Sequence, residues 1–316
     1  MKKWIHSTSC STWRWCEIKG VDTEDFLKRL TTVQPSSLRP LTGAPGFLLT
    51  PRGKIQSAFI LWQLGENHFA FELDSGKNET WIQRLQETIN YYHFSESIEF
   101  TLTDLRCVWI LEEEKSNSEL NPPLYRIEKD KDFLFCHHPF SYYGKKWTSI
   151  WASQNELNIF TTQNKNKFYE ISEHEIEELR IKHLTPRIDF EITTEVNPLE
   201  LGLRSGIAEN KGCYPGQEVI EKIISLGSPA KKLVLFSGKI KNQNPLPVKN
   251  EELIDKTDLQ SIGVITSIVS HSNGFQGLAL IKNSFLKKNK SNNISSAQLM
   301  TQNSKSSLHI DKVCND

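Results

Sequence analysis

The chain concentrates reactive and conformationally unusual residues in residues 209–223, whose sequence is ENKGCYPGQEVIEKI. Lys211 lies two positions before Cys213, and a nearby positive charge favours the thiolate form of a cysteine. Pro215 and Gly216 predict a turn, after which QEVIEKI can begin a helix whose amino-terminal amides stabilise an anion. Gly212 and Gly216 also let the backbone approach a ligand closely or adopt a positive φ. A reactive cysteine needs a setting of this kind.

Two other interpretations of Cys213 fit the same residues. An isolated cysteine is among the most buried residue types, so Cys213 could simply pack two elements together. A Cys/His hydrolase would need a histidine beside the thiol, and none of the nine histidines has a spacing that singles it out. The six cysteines form no CxxC pair and no group with zinc-ligand spacing, so no metal site and no disulfide framework are expected.

Composition narrows the class of protein. The 316 residues are enough for two or three domains, and Lys plus Arg equal Asp plus Glu at 38 each. A protein that relies on nonspecific phosphate contacts would carry a basic excess, so direct nucleic-acid binding is not expected. The start lacks the apolar run of a signal peptide, and no stretch approaches the ~18 apolar residues of a membrane helix. We therefore expect a cytoplasmic protein with reduced thiols.

Short strands and helices alternate irregularly along the first half of the chain, which predicts an α+β fold. FLLTPRGKIQSAFILWQL reads as a hairpin, and HFAFEL has the period of a half-buried strand. VDTEDFLKRLTT predicts a helix capped by Asp22 or Thr23, and NETWIQRLQETINYY predicts a helix capped by Asn78. Ser172 and Glu175 form a capping-box signal for a further helix.

The last part of the chain is rich in strand-like segments and ends in a polar stretch. KKLVLFSGKI and IGVITSIVSHSNGFQGLALI are strand-like and separated by turn-rich sequence, so a small β-barrel without helices is expected. From Lys287 the sequence becomes polar and low in complexity, which predicts a mobile tail.

KGCYPGQEVI resembles the Lys-Gly-Cys-Tyr-x-Gly-Gln-Glu signature of the YgfZ family, folate-binding relatives of the glycine-cleavage T-protein. Other segments are similar to that family in the right order: IKGVDTEDFLKRLTT, FLLTPRGKI, NPLELGL and the strands of IGVITSIVSHSNGFQGLALI. The resemblance spans residues ~13 to 285. It implies two ferredoxin-like α+β lobes and a carboxyl-terminal β-barrel arranged as a cloverleaf around a folate cavity.

The implied domain boundaries follow the family's architecture. The first lobe would comprise residues 1–45 and 105–230, and the second lobe, residues 46–104, would be inserted into it. The barrel would comprise residues 231–286 and the tail residues 287–316. A connection rich in proline and glycine precedes residue 46, which is where the insertion would begin.

Three departures from the T-protein pattern bear on chemistry. Gln56 and Ser57 stand where the T-protein has the aspartate that activates its aminomethyl substrate, and neither can act as a carboxylate base. This argues against aminomethyl transfer. YGKKWTSI has no acid where the T-protein has its pterin-binding glutamate. RIKHLTPR supplies Arg180, which matches an arginine near the pterin, but has Lys182, His183 and Leu184 where the family tends to Glu-Ala-Gly. Arg180 could equally lie at an exposed helix end.

The resemblance implies a protein that binds tetrahydrofolate or a one-carbon derivative and supports iron–sulfur enzymes, including those that thiomethylate tRNA. Iron–sulfur enzymes would be transient partners. Alternatives are a folate-dependent one-carbon transferase and an adaptor that has lost the ligand. Cys213 and Lys211 would act chemically. The residues expected to bind the folate are Arg180, Lys211, Cys213, Tyr214, Gln217 and Glu218.

Overall fold

The computed structural model describes residues 3–6, 9–112, 125–138, 145–240, 245–272, 274–289 and 299–314, with the backbone alone at 3–6, 9 and 10. The chain divides into two compact units. Unit 1 comprises residues 1–176 and 205–217, and unit 2 comprises residues 177–204 and 218–316.

Unit 1 is built on one sheet of eleven strands, in the order β11-β1-β7-β10-β9-β8-β3-β4-β5-β2-β6. All pairings are antiparallel except the short parallel pairing of β1 with β11. The strands are β1 Lys3–His6, β2 Trp13–Lys19, β3 Thr42–Leu49, β4 Ile55–Gly65, β5 His68–Asp74, β6 Glu99–Leu102, β7 Arg106–Glu112, β8 Tyr125–Asp130, β9 Phe133–His138, β10 Lys146–Ala152 and β11 Tyr169–Glu170.

The predicted hairpin and the HFAFEL strand are confirmed as β3, β4 and β5. The implied insertion at residue 46 begins inside β3 rather than between elements. Both implied lobes contribute strands to this one sheet, because β2 of the first lobe pairs with β5 of the second.

Helices α1 Thr23–Leu30 and α2 Thr80–Tyr92 cover one face of the sheet. Their apolar stripes repeat at helical spacing and are buried against Phe69, Phe71 and Leu73 of β5. Helix α3, Gln154–Asn164, packs on β7 and β10. Helix α4, Glu173–Lys182, begins with the predicted capping box, in which Glu175 donates its backbone N–H to Ser172 Oγ at 3.2 Å.

Two predicted caps differ from the structure. Asp22 occupies the cap position of α1, but its carboxylate accepts the backbone N–H of Ser97 at 2.6 Å instead of capping the helix. Asn78 does not cap α2, because residue 79 is the cap and both Asn78 and Glu79 have left-handed backbone angles. A 3-10 turn at Lys77–Glu79 therefore precedes the helix, with neither side chain bonded to its first amides.

Unit 2 contains a closed six-stranded barrel in the order β12-β15-β14-β13-β16-β17. This confirms the barrel predicted from the sequence. Its apolar interior is filled from every strand, with Phe236 and Phe275 among the fully buried side chains. The strands are β12 Lys231–Lys239, β13 Glu252–Asp255, β14 Ser261–His271, β15 Gly274–Lys282, β16 Leu299–Thr301 and β17 Ser307–Val313.

The prediction that residues 287–316 form a mobile tail is wrong for most of the residues that the structure describes in this range. Strands β16 and β17 both lie in it, and β17 pairs with β12 to close the barrel. Its inward residues alternate, with Leu308 and Ile310 buried among polar neighbours, so a short half-buried strand resembled a polar tail. Residues 290–298 lie outside the described residues.

The described residues beyond 230 also include a helix, where none was predicted. Helix α6, Asn283–Asn289, follows β15 and buries Phe285 and Leu286. Helix α5, Gln217–Ser225, begins where QEVIEKI predicted a helix. No helix in the described ranges is long and apolar enough to cross a membrane.

Candidate functional site

Residues 205–217 are held against the segment that follows α1, the end of β3 and the turn between β3 and β4. Thr32 donates its hydroxyl to the carbonyl of Gly206 at 2.6 Å, and Ala208 donates its backbone N–H to the carbonyl of Thr32 at 3.0 Å. A Cβ at Gly206 would lie 2.3 Å from the ring of Phe47, so the segment approaches β3 too closely for a side chain there. These contacts fix the path of the chain into the Lys211–Gly216 loop.

Lys211 anchors this loop to α1. Its ammonium donates a short hydrogen bond to the carbonyl of Lys28, in the last turn of the helix, and lies 5.6 Å from the ring centroid of Tyr214. Carbonyls in the last turn have no partner within the helix, and a cation there also favours the helix dipole. Lys211 is 7 % exposed. Burial, aided by the charge of Lys28, lowers the pKa of Lys211 to about 8.

Gly216 holds the other end of the loop. Its φ is +81°, and a Cβ there would lie 2.5 Å from the carbonyl oxygen of Thr50 and 2.9 Å from Gly53 Cα. Only glycine fits this combination of left-handed backbone and close approach. The turn ends where Gln217 donates its N–H to the carbonyl of Tyr214 at 3.2 Å, and α5 begins. Of the two glycines expected to allow a positive φ or a close approach, Gly216 shows both and Gly212 shows neither.

Cys213 lies between these two anchors and is exposed to solvent. The buried interpretation is therefore wrong for this residue. The cysteines at 16, 107 and 136 are buried, and Cys314 is half-buried. Burial raises the pKa of Cys16 to about 12 and that of Cys136 well above its ordinary value. Among the thiols whose side chains are described, Cys213 is the accessible one.

The other predicted residues of this loop lie at different depths. Tyr214 is buried, with its ring beneath the ammonium of Lys211. Gln217 is half-buried and Glu218 is exposed on the first turn of α5. An added Cβ at Gly212 would meet only Lys28 Cε, at 3.9 Å, so the loop beside Cys213 faces open space.

Arg180 does not lie at an exposed helix end. Its guanidinium is fully buried within unit 2 and forms an ion pair with Glu191 at 2.9 Å. All five of its N–H donors have acceptors: two on Glu177 and one each on Glu191, Ser267 and the carbonyl of Thr185. A ligand carboxylate or pterin would have to break this network. The network therefore explains the burial of Arg180 without a ligand.

The positions that replace the T-protein aspartate differ in burial. Ser57 is fully buried on the face of β4 that also carries Phe59 and Leu61, and its hydroxyl has no hydrogen-bond partner among the described residues. Gln56 is half-buried on the opposite face. No three His, Cys, Asp or Glu side chains in the described ranges come together as metal ligands would.

Two features of the structure were not expected from the sequence patterns: a backbone contact that holds the loop, and a buried polar cluster. Lys28 contributes a backbone carbonyl, which no side-chain pattern reveals. The second is a buried cluster around Glu72 in unit 1. Its signal is present in HFAFEL, where Glu72 is a charged residue between two buried apolar ones.

Comparison with profiles of known protein families gives no match. A chloroplastic protein of Arabidopsis thaliana named as a putative transferase is 24% identical over 223 residues, which are 66% of this chain and 50% of that protein. The chain thus spans half the length of this curated relative.

Among solved structures, the glycine cleavage system aminomethyltransferase T from Bartonella henselae superposes with a TM-score of 0.79. The match covers 98% of this chain and 85% of that one at 14% sequence identity. The chain therefore has the T-protein fold, with α+β elements followed by a closed barrel.

Proposed function

We propose that this chain is a tetrahydrofolate-binding accessory protein that supports the assembly or repair of iron–sulfur enzymes, including those that thiomethylate tRNA. The observation on which this rests is an exposed thiol, Cys213, on a loop fixed at one end by Lys211 and at the other by Gly216. A loop that only packed two elements would have no need to present its cysteine to solvent. The T-protein fold and the Lys-Gly-Cys-Tyr signature support folate as the ligand.

The residues of the loop fit the chemistry of a folate. A folate carries carboxylates and a flat pterin, which cations, polar groups and aromatic faces can bind. Lys211 has no carboxylate partner in the described part of the chain, and Lys28 adds a second positive charge beside it. We therefore assign the ligand to Lys211, Cys213, Tyr214, Gln217 and Glu218. Arg180 is left out because its donors are already used.

An accessory role suits these residues better than aminomethyl transfer. Activation of an amine needs a base or a carboxylate, and Gln56 and Ser57 supply neither. A resident cluster would need about four ligands, and one thiolate falls far short of that number. Cys213 can instead act transiently: its thiolate would take the place of one ligand of a cluster, or of one group of a reactive folate adduct, and the displaced group would leave. This requires a reducing compartment such as the cytoplasm, where thiols stay free.

The test is Cys213→Ala, with Cys314→Ala as the matched control. We expect cells that carry Cys213→Ala to lose iron–sulfur enzyme activity, such as tRNA thiomethylation, while the protein level and the unfolding midpoint stay unchanged. Cys314→Ala, which changes a half-buried thiol of the barrel, should leave that activity intact. Unchanged iron–sulfur enzyme activity in the Cys213→Ala cells would refute the proposal.

A second candidate is a folate-dependent one-carbon transferase, since the similar Arabidopsis protein is named as a putative transferase. Calorimetric titration with tetrahydrofolate followed by transfer assays with methylene-tetrahydrofolate separates the possibilities. Binding without transfer supports the accessory role, and binding with transfer supports the transferase. The absence of binding heat would indicate an adaptor without a ligand.

A further inference from the structure

A polar cluster lies in the otherwise aromatic interior of unit 1. Glu72 is fully buried and accepts hydrogen bonds from the indole N–H of Trp62 at 2.8 Å and of Trp151 at 3.0 Å. Ser149 donates a short hydrogen bond to Glu72 Oε1, and His138 Nε2 lies 3.0 Å from Ser149 Oγ. His138 stacks on the ring of Trp147 at a centroid distance of 3.6 Å, so it too is held in place.

The cluster joins two distant parts of one sheet. Glu72 and Trp62 come from β5 and β4, whereas His138, Ser149 and Trp151 come from β9 and β10. Four strands lie between β10 and β5 in the sheet, a separation of roughly 24 Å if the sheet were flat. The direct contact means that the sheet curls until its two halves face each other. Among the described residues, β8 pairs with β3 through two residue pairs.

We propose that Glu72, Ser149 and His138 form a proton-linked latch that holds the two halves of this sheet together while Glu72 is protonated and loosens when it ionises.

The surroundings of Glu72 favour an uncharged cluster. Burial raises the pKa of Glu72 to about 7, although the Ser149, Trp151 and Trp62 hydrogen bonds act in the opposite direction. Burial also lowers the pKa of His138 well below its ordinary value, so its 3.6 Å contact with Glu72 is not an ion pair. The titratable groups that face Glu72 from neighbouring strands are His138, Cys136 and, through the aromatic ring contacts, Tyr125.

The contacts from Glu72 to Ser149 and from Ser149 to His138 can hold the carboxyl proton inside the protein. When Glu72 is protonated, its carboxyl O–H can donate to Ser149 Oγ, and the single hydroxyl proton of Ser149 then turns from Glu72 Oε1 to His138 Nε2. His138 Nδ1 has no hydrogen-bond partner among the described residues that would stabilise an imidazolium. No lysine or arginine is among the described contacts of the carboxyl, so ionisation leaves a negative charge with neutral donors only. A buried charge of this kind opposes the closed sheet.

The sign of the pH dependence follows from linkage. The pKa of Glu72 is higher in the folded protein than its ordinary value of 4.5, so the folded state binds more protons between these values. The folding equilibrium constant of the wild-type chain should therefore fall by up to tenfold per pH unit between about pH 5 and pH 7 and level off above that window.

Urea unfolding from pH 5 to pH 8.5 tests the latch in the full chain. Glu72→Gln keeps the size of the side chain but removes its charge, so its unfolding should lack the loss of stability seen in the wild type. Glu99→Gln, an exposed residue of β6, is the matched control and should follow the wild type. An equal slope in Glu72→Gln and the wild type would overturn the proposal.

A second measurement covers the case in which Glu72→Gln does not fold. Carbon NMR of the wild-type protein, labelled at its glutamate carboxyls, should show one resonance that titrates near pH 7. Tryptophan emission should change over the same pH range, because Trp62 and Trp151 donate to that carboxyl. If every glutamate carboxyl titrated below pH 6, the latch would be excluded.

Discussion

Among the five thiols whose side chains the structure describes, solvent access separates Cys213 from the others more clearly than its neighbours in sequence do. Of these five, brief treatment of the native protein with iodoacetamide should label Cys213 first and Cys314 more slowly, since the latter is half-buried. The buried thiols Cys16, Cys107 and Cys136 should remain unmodified until the protein unfolds. Mass spectrometry of the digested protein measures the order. Early labelling of Cys16 or Cys136 would contradict the packing described for the sheet.

Lys211 has a pKa lowered to about 8 from an ordinary value of 10.5, so its ionisation is linked to folding. Between these values the unfolded chain binds more protons, and stability should rise with pH through that window, by up to about 3 kcal/mol. Lys211→Met should remove the rise, whereas Lys222→Met, at an exposed position of α5, should retain it. Urea unfolding at pH 7.5 and pH 10 with a reductant measures the difference. A rise that persisted in Lys211→Met would show that another group titrates.

The residue types near Cys213 could be read from the sequence, but the directions of their side chains could not. The ammonium of Lys211 turns to a backbone carbonyl 183 positions earlier in the chain. Arg180 similarly binds Ser267, 87 positions away. Both partners come from elements that meet only when the chain folds. Spacing along one segment therefore predicts which groups are reactive and leaves open what they contact.

At the scale of the element, Gly216 and Gly227 form a matched pair with nearly equal φ of +81° and +78°. Gly227→Ala meets nothing within 4 Å and should cost only the left-handed backbone penalty, about 1 kcal/mol. Gly216→Ala places its Cβ against Thr50 and Gly53 and should cost about 1–3 kcal/mol more. Thermal unfolding of the two variants gives the difference. Equal losses would show that the loop yields easily around Gly216.

Sequence segments with a strong hydrophobic periodicity predicted their helices and strands well. The same periodicity did not predict the backbone angles at the ends of these elements. The alternation in HFAFEL and the apolar stripe of α2 predicted which side chains are buried. The cap at Asn78 was wrong because a 3-10 turn with left-handed residues precedes α2. The strand β17 was missed because five of its seven residues are exposed or only partly buried, which made the segment resemble a polar tail.

At the scale of the whole molecule, each half of the fold is completed by pairing between segments far apart in the chain. The barrel strand β12 begins at residue 231 and its neighbour β17 begins at residue 307. In unit 1, β2 pairs with β6, more than 80 positions later. Local propensity contains no information about such pairings: the strand-rich sequence after residue 230 predicted a barrel, but not that β17 closes it against β12.

The final strands of the barrel can be tested by truncation. Ending the chain after residue 289 removes β16 and β17, leaving β12 and β13 with unpaired edges and exposing the core between Phe236 and Phe275. We expect this variant to aggregate or to lose its cooperative unfolding transition. A chain that ends after Cys314 keeps all six strands and should unfold like the full protein. Limited proteolysis and circular dichroism measure both outcomes. A truncated protein that stayed folded and protease-resistant would show that four strands suffice for the barrel.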